Sequence, residues 1–429
     1  MSGTLEVVRR RLAAAGLSRS VAGLGIGQGL SAAGASMVVP LMASLITGLH
    51  SPLVPATVVG IAVSNELLVG VFFSTLGAVR SICQIPFGRL SDRFGVRNSL
   101  LEIGFAVSSA TVLGYGFVGT VGGLLSLRVL QGIALAAATP ALMALVDSLT
   151  TTDNRGGGMS AISTLRTLGW GVGPVLGGAL ADQFGLRSAF ACGALLVGGS
   201  VLLIRLAVPT VNPGRSSGKS ESDDGGLRPQ FTSSRQARTL IGVAVAVSVL
   251  MMGISAIVSL EETIVGRLGG SKTGFGIVFA IPTITRLLVQ FPVGRWTDRY
   301  SRPPMILGGL LASVPLVAAT GLVHTLGAFV LVRGLQGATV AAVVAPGYAL
   351  AADVADEAHS GEQLAFVTTA SSVGFALGPL VSGVLAPAGF FAPFLAIAAL
   401  SLASVVVVWR LVGAGSIPSL RDCVELLHG

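Results

Sequence analysis

Long apolar runs separated by short charged loops dominate this chain. Stretches of roughly membrane-spanning length, about 20 residues, recur near residues 20–46, 61–87, 98–117, 121–148, 158–181 and 186–207, and again near 239–263, 274–293, 304–322, 325–352, 363–385 and 389–411. The segment between the two sets, residues 208–238, is rich in Gly, Ser, Asp and Arg and holds too few apolar residues to fold alone, so it reads as a disordered linker. The pattern predicts an all-α membrane protein of twelve transmembrane helices in two six-helix bundles, residues 20–207 and 239–411. Short tails flank them at 1–19 and 412–429.

Composition agrees with lipid as the main solvent: the 429 residues are 52% hydrophobic and 11% charged, with a mean hydropathy of +0.83. The net charge of +8 would suit nucleic acid if it lined a soluble face, but the basic residues sit in loops between apolar runs. Most lie in the N-terminal tail, in the loops after the second and eighth helices, in the linker and in the C-terminal tail. The opposite loops hold only Arg187, Arg267 and Lys272. That asymmetry predicts both termini in the cytoplasm, and no nucleic-acid partner. The apolar run after the N-terminal arginines is long for a signal peptide, and the first helix is expected to be retained. Cys83, Cys192 and Cys423 show neither disulfide nor metal spacing.

Laying the second half over the first reveals a repeat at an offset of 205 to 206 residues. Arg80 to Phe94 matches Arg286 to Tyr300 at seven of fifteen positions: Arg80, Gln84, Pro86, Gly88, Arg89, Asp92 and Arg93 recur as Arg286, Gln290, Pro292, Gly294, Arg295, Asp298 and Arg299. Arg128, Gln131 and Gly132 recur as Arg333, Gln336 and Gly337, and Asp147 recurs as Asp353. Gly169, Gly173, Pro174 and Gly178 recur as Gly374, Gly378, Pro379 and Gly383. Each copy falls on the same helix of its half, so the halves are parallel repeats. The block Gly88-Arg-Leu-Ser-Asp92-Arg93-Phe-Gly95-Val-Arg97 resembles the G-x-L-x-D-R-x-G-x-R loop signature of the major facilitator superfamily. The resemblance covers nearly the whole chain and implies that superfamily's transporter fold.

Several motifs carry candidate roles. In the loop block, Gly88 permits a tight turn and Asp92, Arg93 and Arg97 form a charged cluster that can act as a gate. Gly294, Asp298 and Arg299 form the second copy, where Tyr300-Ser301-Arg302 replaces the expected glycine. Asp147 and Asp353, at helix ends, are natural partners for those arginines, as the resemblance also implies. Gly169-Trp-Gly-Val-Gly173-Pro174-Val-Leu-Gly177-Gly178 is similar to the G-x-x-x-G-P-x-x-G-G signature of the superfamily's drug/proton antiporters. Small residues four apart let helices approach closely, and proline lets a helix bend.

Arg80, Arg128, Arg166, Arg286 and Arg333 fall inside predicted spans. At about 2.5 to 3.5 kcal/mol each on insertion scales, they must face protein or a wet cavity. Arg80 with Gln84, Arg286 with Gln290, Arg128 with Gln131 and Arg333 with Gln336 are spaced to share a helix face. Arg128-x-x-Gln131-Gly132 resembles the family's R-x-x-Q-G signature, which implies proton coupling. Acidic candidates for carrying the proton are Glu261, foremost, then Glu262, Glu66 and Glu102; the first helix carries none. Two other motifs are set aside by context. Gly214 to Ser220 is one residue short of a phosphate-binding loop with no strand before it, and Gly114-Tyr-Gly116-Phe-Val-Gly119 ends a membrane helix.

The expected protein is therefore not an enzyme and needs no cofactor or metal. It is a secondary transporter of the inner membrane, working by alternating access as a monomer in the lipid bilayer. The resemblance implies proton-coupled export of small amphipathic compounds. The excess of buried arginine over carboxylate keeps open a carrier of organic anions or metabolites, and a nontransporting receptor or scaffold of the same fold is a remoter alternative.

Overall fold

The structure is a computed structural model that describes residues 19–49, 57–58, 61–94, 97–150, 155–207, 233–355 and 360–413. The tail before Arg19, the linker as far as residue 232 and the tail from residue 414 lie outside the described residues. In the first half the helices are α1 (Arg19–Ser36), α2 (Met42–Gly48), α3 (Asn65–Phe94), α4 (Arg97–Tyr115), α5 (Val121–Leu149), α6 (Arg155–Phe184) and α7 (Leu186–Ala207). In the second half they are α8 (Ser234–Ser255), α9 (Glu261–Leu268), α10 (Lys272–Arg299), α11 (Arg302–Leu322), α12 (Leu326–Val354), α13 (Ser360–Leu385) and α14 (Ala392–Val408). A single 3-10 turn, Val39–Leu41, joins α1 to α2, and a 3-10 stretch, Ala256–Leu260, joins α8 to α9, so each of these pairs makes one pass.

Among the described residues the helices make twelve passes, as the hydropathy pattern predicts. Ten are long and apolar enough to cross a membrane on length and composition alone. The other two, α4 and α6, fall short because α4 opens on Arg97, Asn98 and Glu102, and α6 spends much of its length on glycine. At about 1.5 Å per residue, the 29 residues of α5 and of α12 reach roughly 43 Å and overshoot a hydrocarbon core of about 30 Å. The helix α8 begins at Ser234, inside the stretch read as linker, because the Ser233 side chain accepts a hydrogen bond from the Gln236 amide and caps the first turn.

The chain divides into two compact units: Met1–Val58 with Val71–Ser222 and Ile264–Thr283, and Val59–Gly70 with Asp223–Thr263 and Ile284–Gly429. They follow the two halves except at the start of α3 and from Ile264, inside α9, through the start of α10. The first unit takes the opening turns of α10, and the second takes the first residues of α3. Within each unit the helices pair in the same scheme. In the first, α1 packs on α6 and α7, and α4 packs on α5 and α7; in the second, α8 packs on α13 and α14, and α11 packs on α12 and α14.

One closely packed pair in each unit, α1 with α6 and α8 with α13, is joined backbone to backbone through small residues. A Cβ on Gly169 would strike the Gly29 carbonyl, one on Gly173 the Ala33 carbonyl and Ser36 Oγ, and one on Gly177 the Met37 carbonyl. In the second unit, Gly374 meets the Ser248 carbonyl and Gly378 meets Ser255 Oγ and the Met252 carbonyl. Hydroxyls reinforce both lines, with Ser36 Oγ donating to the Gly169 carbonyl at 3.4 Å and Ser248 Oγ to the Ala370 carbonyl at 2.6 Å. Between helices in lipid, packing and hydrogen bonds replace the hydrophobic effect as the source of association. Pro140 and Pro174 in the first half recur as Pro346 and Pro379 in the second, each inside a helix whose neighbours share its packing.

Replacing Gly169 with Val should force α1 and α6 apart and destabilise the detergent-solubilised protein by about 1–3 kcal/mol, the usual range for overpacking. Gly199→Ala, whose Cβ would enter open space, should leave the thermal unfolding midpoint in place. Equal midpoints for both variants would show that the close approach does not matter.

Candidate functional site

Helix α5 starts on Thr120, whose side chain accepts from the Gly123 amide, and this sets Arg128 two turns in. Arg128 is 4% exposed. Its Nε donates to the Phe72 carbonyl on α3 at 3.1 Å and its Nη1 to Gln131 Oε1 at 2.7 Å. The guanidinium lies over the Phe72 ring at 4.1 Å and near Phe73 at 5.1 Å, a stacking that contributes roughly 0.5–2 kcal/mol. Gln131 also accepts from the Tyr115 hydroxyl at 2.8 Å and donates to Ser108 Oγ at 3.3 Å, which ties α5 to α4. The planar fork of arginine suits this arrangement, since it serves two acceptors while its face stacks on a ring.

The second copy repeats the inner part of this network and changes the outer part. Thr325 caps α12 through the Ala328 amide, and Arg333 is 0% exposed. Its Nη1 donates to Gln336 Oε1 at 2.7 Å, as in the first copy, but its Nη2 donates to the Ile254 carbonyl of α8 at 2.8 Å. Gln336 Nε2 donates to Thr320 Oγ1 at 2.8 Å and to the Leu316 carbonyl at 3.1 Å. Thr320 stands one repeat offset from Tyr115, so the glutamine keeps a hydroxyl partner at the same place on the preceding helix. The two i, i+3 pairs expected from spacing thus bond within each unit.

The i, i+4 pairs are more open. Arg80 is half-buried and its Nη2 donates to Thr139 Oγ1 on α5 at 2.9 Å, while Gln84 is half-buried one turn on. Arg286 is half-buried on α10, Gln290 is exposed, and Arg166 is exposed. Among the acids, Glu262 is exposed, Glu66 is half-buried in the first turn of α3, and Glu102 pairs with Arg205 at 2.6 Å. Glu261 differs from all of these, being 1% exposed. Among the described residues the buried charged side chains are Arg128, Arg333 and Glu261. The pass that carries Glu261 runs from Ser234 to Leu268, five residues beyond the predicted end, and Glu261 opens its last helical segment, the eight residues Glu261–Leu268.

For the charged loop block, the side chains of Gly88, Asp92, Arg93, Arg97, Asp147 and Asp298 lie outside the described residues. Arg299 is exposed, and Asp353 forms an ion pair with Arg302 at the start of α11. Gly88, which permits a tight turn, and its counterpart Gly294 both lie inside helices. Helix α3 runs on to Phe94 and α10 to Arg299, so both glycines are helical. Continuing the helix keeps their backbone groups bonded, and the glycines with positive φ among the described residues are Gly185, Gly269 and Gly389.

Sequence reasoning passed over Tyr115 and Thr320, which hold the two glutamines, and Phe72, which receives Arg128. Tyr115 had a signal: it is one of only three tyrosines and ends an apolar helix, where a hydroxyl needs a partner. A cavity of about 490 Å³ also opens in the first unit, lined by Ser44, Leu45, Phe184, Arg187 and Phe190 among others, and Phe190 meets the Tyr115 ring of the first network edge-on.

A family model described as Major Facilitator Superfamily matches residues 24–257 and 241–421. The chain is 25% identical over 402 residues to multidrug resistance protein MdtG of Escherichia coli, covering 90% of this chain and 97% of that protein. Its fold is similar to that of a bacterial homologue of the human lysosomal transporter Spinster, in an inward-facing and occupied conformation. The TM-score is 0.70 at 14% identity, over 91% of this chain and 96% of the other. It is also similar to the human organic anion transporter MFSD10, with a TM-score of 0.64 at 22% identity, over 91% and 99% of the two chains.

Tyr115→Phe should lower stability in detergent by about 0.5–1.5 kcal/mol, the net value of one hydrogen bond. Combined with Gln131→Leu it should add less than its single-variant loss, because both changes break the same bond. Strict additivity in unfolding measurements would contradict the network.

Proposed function

The chain belongs to the Major Facilitator Superfamily, and from that premise we propose that it exports small amphipathic compounds in exchange for protons by alternating access. Glu261 is the group that takes up and releases the proton. That it is a multi-pass membrane transporter and not an enzyme follows from the family match and the helices. The finer reading rests on one observation above the rest: Glu261 is the buried carboxyl among the described residues, and it lies within a stretch long and apolar enough to cross a membrane. Ionisable side chains inside membrane helices typically form proton relays or substrate paths. The full form of the glycine and proline motif in α6 and the 25% identity to MdtG support export.

In this reading Arg128 and Arg333 hold their helices in register, since each gives two of its N–H groups to neutral acceptors. The charged blocks ending α3 and α10 act as gates together with Asp147 and Asp353. Both termini face the cytoplasm, in an inner membrane, and a monomer suffices. A second reading, an organic-anion carrier, is favoured by Arg80, whose half-buried guanidinium has a neutral partner in Thr139, and by the likeness to MFSD10.

Proteoliposomes loaded with a pH-sensitive dye, challenged with tetraphenylphosphonium and then with benzoate, separate these readings. The cation should drive proton movement in the wild type, and Glu261→Gln should reduce the rate by about tenfold or more, a barrier change of about 1.4 kcal/mol or more. Arg128→Ala should lose it as well. A response to benzoate alone would favour the anion carrier, and a full response in Glu261→Gln would remove that residue from the mechanism.

A further inference from the structure

The two helix starts exchanged between the units form two related seams. In the first unit, a Cβ on Gly178 would strike the Lys272 carbonyl and one on Gly276 the Pro174 carbonyl, which brings α6 and the start of α10 together. In the second unit, Gly383 meets the Glu66 carbonyl and Gly70 meets the Pro379 carbonyl, which brings α13 and the start of α3 together. All four correspondences lie at the repeat offset. The apolar parts of the seams are therefore copies of one another.

Their polar fastenings differ. The helix α3 is capped from its own chain, with Ser64 Oγ accepting from the Leu67 amide at 3.2 Å. The helix α10 has the same local cap, Ser271 Oγ to the Gly274 amide at 3.2 Å, and a second one supplied by α6. The Asp182 carboxylate accepts from the Lys272 amide at 3.2 Å, the Thr273 amide at 2.9 Å and Thr273 Oγ1 at 2.6 Å. A carboxylate at a helix N-terminus meets both the free amides and the positive end of the helix dipole. Lys272 Nζ turns away to Ser44 Oγ on α2 and pins the same turn from another side. One repeat offset from Asp182 the second seam carries Pro387, in the 3-10 turn Ala386–Ala388, which has no carboxylate to offer.

We propose that Asp182 is a positioning residue for transport: its carboxylate clasps the first turn of α10 to the end of α6, so this seam opens later and less often than its copy at α3 and α13. The proposal rests on the alternating-access reading, in which such seams must part once in each cycle. The clasp is a fixed fastening and does not sense the proton gradient. Partial burial works against the Asp182 charge, but the hydrogen bonds from Thr273, Lys272 and Ser271 outweigh it and hold the carboxyl below its ordinary range. A depressed value means that the fastening is present above the unfolded pKa, about 4, and is lost only as pH falls through the lower folded value. The charged groups on the elements that adjoin it in the same unit are Lys272 of α10 and Arg187 at the start of α7.

The test is a distance distribution between spin labels at Phe184→Cys and Gly266→Cys, in full-length protein with Cys83, Cys192 and Cys423 replaced by serine. Wild type should give one short distance from pH 7 down to about pH 5, above the ordinary carboxylate range. Asp182→Ala should add a longer one at every pH. The longer population should rise on the order of tenfold, as expected for losing about 1.4 kcal/mol of charge-assisted hydrogen bonding. Thr273→Val, which keeps the amide donor, should lie between the two. Labels across the α3 and α13 seam should not respond to Asp182→Ala. Identical distributions in wild type and Asp182→Ala, or equal broadening at both seams, would overturn the clasp. The readout needs no substrate or proton gradient, so a wrong assignment of cargo or coupling would leave it intact.

Discussion

A peptide group or a guanidinium surrounded by hydrocarbon finds no water, so each must be bonded within the protein. Helices meet that demand for the backbone, which is why glycine-rich stretches such as α6 remain helical although their propensity is low. For side chains it forces partners to converge. Arg128 reaches back to its own Gln131 and across to the Phe72 carbonyl, and Arg333 does the same with Gln336 and Ile254. Such bonds require neighbouring helices within side-chain reach, and elsewhere in each unit Gly169 and Gly374 let α1 and α6, and α8 and α13, approach closely as well.

The repeat shows which parts of this solution can be varied. Both units keep the arginine, the glutamine three residues on and a hydroxyl on the preceding helix, Tyr115 in one and Thr320 in the other. They differ in where the second arm of the arginine goes. In the first unit it binds α3 and stacks on aromatic rings; in the second it binds α8, just before the 3-10 stretch that leads to Glu261. Two copies of one fold can therefore spend the same arginine on different neighbours, α3 in the first unit and α8 in the second.

Much of this was legible in the sequence. Twelve runs of the right length, a repeat in register and two Arg-x-x-Gln spacings led directly to the passes, the related halves and the two inner hydrogen bonds. The remainder depends on contacts between distant segments or on local backbone choices. Tyr115 finds Gln131 only once α4 lies on α5, and Asp182 reads as one more loop charge until the start of α10 is beside it. The pass that carries Glu261 was placed too short, because it runs on through a 3-10 stretch to Leu268 where apolar content alone suggested an end near residue 263. Gly88 is a related case: glycine permits a turn but does not require one, and the helix continues through it.

Central to the account is one buried carboxyl that binds and releases a proton as cargo comes and goes. Purified protein in weakly buffered detergent solution, mixed with tetraphenylphosphonium while a pH dye is followed, measures that directly. The account predicts proton release that saturates with the cation, and binding without release in Glu261→Gln. Cation binding to the wild type with no proton released, or release undiminished in Glu261→Gln, would contradict it.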